Sequence, residues 1–141
     1  MIEIATVEGG FIRFFTNFDK VKQFHKEVLK AVTPPKPMTR GIDIADLRWE
    51  LIREEFFEFE KALELDDIVG IADSLADLLY VVYGAADFYG IDIDEVFDEV
   101  HRSNMTKKGG PVREDGKQLK PDTFDPPDIK KIIERQKNAN K

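Results

Sequence analysis

The chain has 141 residues, 42% of them hydrophobic, with eleven Phe and no Cys. This suits one globular domain with its own core and excludes disulfides, Cys-ligated zinc and thiol chemistry. Net charge is −7, but residues 1–100 hold 10 Lys+Arg against 22 Asp+Glu while residues 101–141 hold 11 against 6, a distribution that disfavours nucleic acid as a partner.

Residues 1–15, with Ile2, Ile4, Val7 and the Phe11–Phe15 group, read as an N-terminal arm, either a short strand or irregular. From Asn17 the pattern becomes helical, with Val21, Phe24, Val28 and Leu29 at helical spacing and Asn17 or Asp19 as the cap. Thr33-Pro-Pro-Lys-Pro37 is expected to end that helix, because proline cannot continue it. A second helix is expected from about Ile44 to Leu65, with Leu47, Leu51, Ile52, Phe56, Phe59 and Leu63 as its apolar set.

Asp66-Asp67 forms a short link, and a third helix runs from there to Tyr89-Gly90, where Gly supplies a left-handed end. Asp92 or Asp94 then caps a fourth helix to about Asn104. Beyond Lys107 the chain turns rich in Gly, Pro and Lys, a basic C-terminal arm over 107–141 in which Asp128 caps a last helix to about Gln136. The whole is expected to be a single all-α domain, 1–141, with helices two and three as antiparallel neighbours in a bundle.

Two aspartates, Asp73 and Asp77, interrupt the apolar third helix one turn apart, on one face. A helix apolar on nearly all sides is normally buried, and a buried carboxylate must be paired or hold a metal. Glu54, Glu55 and Glu58 cluster on one face of the second helix, and the short link folds the two acidic sets toward each other. Five carboxylates with no thiol suit Mg²⁺, with Mn²⁺ as a substitute, and exceed what one ion needs, which points either to two or more ions or to one acid left free as a general base. Burying the third helix on all sides calls for a second copy, so a homo-oligomer is expected, most simply a dimer.

The basic arm supplies the complementary charge. Arg102, Lys107, Lys108, Arg113, Lys117 and Lys120 are spaced through a loop-rich, mobile segment suited to closing over a polyphosphate. No GxxxxGK[ST] phosphate loop, HExxH or Ser/His/Asp arrangement is present, which argues against P-loop, zincin and triad chemistry. The N-terminus lacks a charged-then-apolar signal pattern and aspartates break the longer apolar runs, so a cytoplasmic protein with no membrane partner is expected.

With these residues in place the chain resembles the all-α nucleoside-triphosphate pyrophosphohydrolase superfamily, the MazG-like and phosphoribosyl-ATP-pyrophosphohydrolase-like group. The family pattern is EExxE on one helix and ExxD on the next; here it reads Glu54-Glu55-Phe-Phe-Glu58 and Asp73-Ser-Leu-Ala-Asp77. Ala76 to Gly84, Glu99 to Lys107 and Arg113 to Pro121 are similar to a branch of dimeric MazG-like enzymes that includes dUTP pyrophosphatases. One departure stands out: Ser74 occupies the position of the glutamate three residues before Asp77, and Asp73 is the nearest substitute.

The resemblance implies cleavage of a nucleoside triphosphate between its α and β phosphates, to a monophosphate and pyrophosphate. It implies Glu55, Glu58 and Asp77 as metal ligands, Asp73 as a further one, and Glu54 as the carboxylate that orients or deprotonates water. Asn104 and Lys107 match nucleotide-site positions, and Arg102, Lys117 and Lys120 are candidate phosphate contacts. His25 and Tyr80, with Phe24, are candidates for the base pocket or for plain core packing. Phosphoribosyl-ATP pyrophosphohydrolysis on the same fold is the other enzyme reading, and a non-catalytic helical dimerisation module is the reading outside enzymes.

Overall fold

A computed structural model describes residues 4–8 and 11–139 of the chain; Ile2 and the other residues outside those ranges are not considered further. The N-terminal arm is a hairpin: β1 (Ile4–Glu8) and β2 (Phe11–Phe14) pair antiparallel, with Val7 opposite Ile12 and an irregularity between Ile4 and Thr6. Five helices follow: α1 (Asn17–Glu27), α2 (Ile42–Glu64), α3 (Ile68–Phe88), α4 (Ile93–Met105) and α5 (Ile129–Asn138). The body is therefore an all-α fold in which helices pack as a bundle, with the small hairpin as an addition. The chain divides into two units, one up to Ile91 and one from Asp92.

In the first unit α1 is capped by Thr16 rather than by Asn17 or Asp19. The Asp19 N–H donates to the Thr16 hydroxyl while the Asp19 carboxylate accepts from the Thr16 N–H, a reciprocal capping box. The helix stops at Glu27, well short of the prolines, and Lys30 takes the left-handed φ of +53°. Proline therefore shapes the following loop rather than ending the helix. Phe18 and Val21, at 3% and 2% exposure, form the centre of the core. They meet α3 through a stack of Phe18 on Tyr83.

Helices α2 and α3 form the antiparallel pair expected from the short Asp66-Asp67 link, and α3 packs on both α1 and α2. Asp67 caps α3 by accepting from the Val69 N–H. Close approach at this end depends on Gly70: a Cβ there would sit 2.6 Å from Asp67 Oδ2 and 3.3 Å from Ala62 Cβ. The small pair Gly70 and Ala62 lets the two backbones come together, which sets the acidic faces side by side. Gly90 ends the hairpin's second helix with φ +66°, as read from the sequence.

The expectation that α3 is buried is not met within one chain. Its buried residues are Ser74, Gly84, Ala86 and Asp87, whereas Leu79 and Val82 are 55% and 41% exposed. By length and composition alone α3 is apolar enough to cross a membrane.

In the second unit α4 and α5 are joined by side chains that bracket the start of α4. Gln136 accepts from the Asp92 N–H and donates to the Asp92 carbonyl, both at 3.0 Å, and Arg135 pairs with Glu95. The intervening arm is tied down rather than loose. Gln118 Nε2 donates to the carbonyls of Lys107 and Gly110, Val112 bridges Gln118, and Ser103 Oγ donates to the Asp125 carbonyl at 2.7 Å. Loop composition masked this order, because the ties come from side chains rather than from helical or strand repeats.

Candidate functional site

The acidic faces of α2 and α3 converge as the spacing predicted. One carboxylate oxygen from each of Glu55, Glu58 and Asp77 lies within 4.8 Å of the other two. Glu55 is the least exposed of the three, and its Oε2 is buried with no hydrogen-bond partner. Burial, and then the neighbouring charges of Asp77, Glu58, Glu54 and Asp73, push its pKa above the ordinary glutamate value. A carboxylate with an orphaned oxygen, set beside two further carboxylates, costs free energy unless a cation completes the group. The donor set, hard anionic oxygens only, fits a divalent metal such as Mg²⁺.

Glu54 and Asp73 stand at the edge of this group. Both are exposed, and both act on Glu55 through charge. Asp73 is outside the close cluster and instead helps line a cavity of about 280 Å³ between α2 and α3, together with Glu58, Lys61, Gly70 and Ser74. Ser74 itself is 4% exposed, and its hydroxyl lies 2.7 Å from the Gly70 carbonyl, to which it donates. It braces the helix, its hydroxyl spent on backbone carbonyls.

The aromatic candidates separate. Tyr80, 40% exposed, lines a mostly apolar cavity of about 200 Å³ between α1 and α3 with Lys20, Ala76 and Tyr83, and its ring meets Phe24 edge-on at 5.7 Å. His25 instead lies in the core at 4% exposure, its Nδ1 2.6 Å from Asp87 Oδ2. Thr33 Oγ1 donates to the other Asp87 oxygen at 3.1 Å, and the Arg48 guanidinium stacks 4.0 Å from the Phe88 ring centre. Arg48 is 8% exposed; burial pulls its pKa down and Asp87 opposes that. Gly84 makes room, since a Cβ there would sit 3.3 Å from both Arg48 Nη1 and His25 Nε2. Sequence reading passed over Arg48, Thr33 and Asp87, because single polar residues on three separate segments leave no spacing to detect.

In the second unit Arg102 is already engaged. It grips Glu99 with two hydrogen bonds of 2.8 Å and reaches Asp125 at 2.9 Å. Those contacts, with the Asp128 N–H, hold Glu99 down at a pKa of about 2. Lys107 Nζ donates to Asn104 Oδ1 at 2.8 Å, which joins two of the candidate substrate residues. Lys117 sits on the Arg113–Lys117 turn, its backbone N–H bonded to Asp115 and its side chain exposed. Lys120 lies over the Phe124 ring, a residue the sequence reading did not single out.

The sequence model of the phosphoribosyl-ATP pyrophosphohydrolase family matches residues 21–104, which spans α1 to α4 and all five acids. The chain belongs to that family. The description of that family names a phosphoribosyl-ATP pyrophosphohydrolase, and the family is metal-dependent in general. An uncharacterised protein of Acanthamoeba polyphaga mimivirus is 32% identical over 82 residues, which are 56% of this chain and 33% of that protein. The chain thus spans about a third of that relative's length. The basic arm lies beyond the family match.

Proposed function

We propose that the protein hydrolyses a nucleoside triphosphate, dUTP or a related deoxynucleotide, between the α and β phosphates, releasing a monophosphate and pyrophosphate. The observation that carries this reading is the convergence of Glu55, Glu58 and Asp77, with Glu55 also carrying a buried, unpartnered Oε2. These three are the proposed ligands of Mg²⁺, with Mn²⁺ as a substitute, and Asp73 is the further carboxylate within reach of the group's charge. When bound, the metal supplies neutralisation of phosphate charge and a lowered pKa for water. Glu54 orients the water and accepts its proton as the α–β anhydride bond breaks. The Tyr80 cavity is the proposed seat of the base, and Asn104, Lys107, Lys117 and Lys120 are the proposed phosphate contacts.

Phosphoribosyl-ATP is the second reading, favoured by the description of the family that matches. It contains the same α–β anhydride, so the acid group serves either substrate. A panel of dUTP, dCTP, dTTP, ATP and phosphoribosyl-ATP with Mg²⁺, scored for pyrophosphate against orthophosphate, separates the two. Pyrophosphate from one nucleotide is the expected result. Primary release of orthophosphate rules out α–β cleavage, and no turnover of any substrate favours the non-catalytic dimerisation module.

We also propose that a second copy covers the open apolar side chains of α2 and α3, among them Phe56, Phe57 and Leu79 at 51–55% exposure. Light scattering at micromolar concentration is expected to give at least a dimer, and a well-folded monomer contradicts it.

A further inference from the structure

Phe124 occupies an unusual electrostatic position. Lys107 Nζ lies 5.9 Å and Lys120 Nζ 4.7 Å from the centre of its ring. Neither lysine forms an ion pair with a carboxylate among the described residues. The hydrogen bond that Lys107 makes goes to a neutral amide, Asn104 Oδ1, at 2.8 Å. By contrast the arginines nearby in sequence are all neutralised, Arg102 by Glu99 and Asp125, and Arg113 by Asp115.

Two ammonium groups drawn to one aromatic ring repel each other, and the ring quadrupole offsets that only in part. Such a pair is stable enough to persist yet remains short of negative charge. The backbone holds the geometry in place: the Phe124 N–H donates to the Pro121 carbonyl at 3.0 Å, and the Leu119 N–H donates to the Pro111 carbonyl at 2.8 Å. Those turns fix Lys120 and Phe124 on one short segment, while Lys107 comes from the end of α4.

We propose that Phe124 is the positioning residue of a polyphosphate site complete within the second unit. Its ring gathers the Lys107 and Lys120 ammonium groups, Asn104 orients Lys107, and the two lysines together receive a diphosphate or triphosphate chain. Two separated charges favour a chain of phosphates over a single one. Phe124 itself touches no phosphate; it sets where the two ammonium groups stand. The inference deepens the proposed function and rests on it for the identity of the anion.

The test is calorimetric titration of the full chain with inorganic pyrophosphate and with orthophosphate, in EDTA so that the acid cluster contributes nothing. Pyrophosphate is expected to bind more tightly than orthophosphate. Phe124→Leu is expected to weaken pyrophosphate about tenfold, roughly threefold for each ammonium released, while Phe124→Tyr restores it. Lys120→Gln, an exposed change that leaves the fold intact, is expected to weaken it severalfold, and covers the case in which the Leu variant fails to fold. Equal binding by wild type and by either Phe124→Leu or Lys120→Gln overturns the proposal, as does a wild type that shows no pyrophosphate binding. Nucleotide turnover is measured alongside. Loss of turnover in wild type with Phe124-dependent binding retained would sink the enzyme reading and keep the site; normal turnover with binding indifferent to Phe124 would do the reverse.

Discussion

Two sets of carboxylates, one in each unit, are held in opposite ways. In the first, Glu55, Glu58 and Asp77 face one another, and Glu55 is pushed upward in pKa by burial and by those neighbours. In the second, Glu99 faces Arg102 and is held down to about 2, with Glu95 and Asp115 likewise gripped by Arg135 and Arg113. Acids that repel one another weaken a fold, and their arrangement makes physical sense when a cation from outside completes it. Acids that meet arginines need nothing more. The difference separates carboxylates left without a cationic partner from carboxylates that fasten the chain, and substitution can test it from both sides.

The largest effect is expected in the first unit. Glu55→Gln, Glu58→Gln or Asp77→Asn should lower metal-dependent turnover about a hundredfold or more, because several kcal/mol of charge stabilisation pass through those ligands. Stability should not fall with activity. In metal-free protein the raised pKa of Glu55 means that its charge opposes folding, so stability from this group grows as pH falls through the raised value. Glu55→Gln should therefore melt no lower than wild type without metal, and should lose the stabilisation that added Mg²⁺ gives the parent. A variant that keeps near-normal turnover, or that unfolds, breaks the comparison.

Asp87 sharpens it, since this acid belongs to the first unit but is paired like those of the second. At 6% exposure it accepts from His25 and Thr33 and offsets the charge of Arg48. Asp87→Ala would leave a buried guanidinium uncompensated, a change that costs about 3 kcal/mol or more. Chemical denaturation read by circular dichroism is the measurement. A loss below about 1 kcal/mol would show that water replaces the carboxylate and that the network is not a fastening.

What the sequence disclosed follows the same division. The acid cluster was legible because helical period places residues i, i+3 and i+4 on one face, and a two-residue link leaves the next helix little choice but to return alongside. Hence spacing alone groups Glu54, Glu55, Glu58, Asp73 and Asp77, while the family resemblance singles out Glu55, Glu58 and Asp77 among them. The network of His25, Thr33, Arg48 and Asp87 has no period, since its members are brought together by packing across three helices and a loop. Phe124 was hidden for a related reason: the ring meets Lys107 across seventeen residues of arm. The start of α1 at Asn17 was as expected, but its cap was missed because Thr16, Asn17 and Asp19 are all competent caps, and only the reciprocal bond decides among them. The outer side of α3 was read as buried because apolar composition records that a surface avoids water, not which chain covers it.

The smallest effect is expected at Glu99, where the sign can be worked through. Its folded-state pKa of about 2 lies below the ordinary glutamate value of 4.5. The stability it contributes is therefore fully present above about pH 4.5 and is lost as pH falls toward 2. The causes are named: the bidentate grip of Arg102 first, then the Asp128 N–H, which ties α4 to the residue that caps α5. Glu99→Gln removes the charge and keeps the shape. It should melt below wild type at pH 7, and the two curves should converge as pH approaches 2, where wild type has lost the same interaction. The effect should also shrink at high salt, because the Arg102 side chain is 44% exposed. Curves that stay separated by the same gap down to pH 2 would mean that the lost stability does not come from the charge of Glu99.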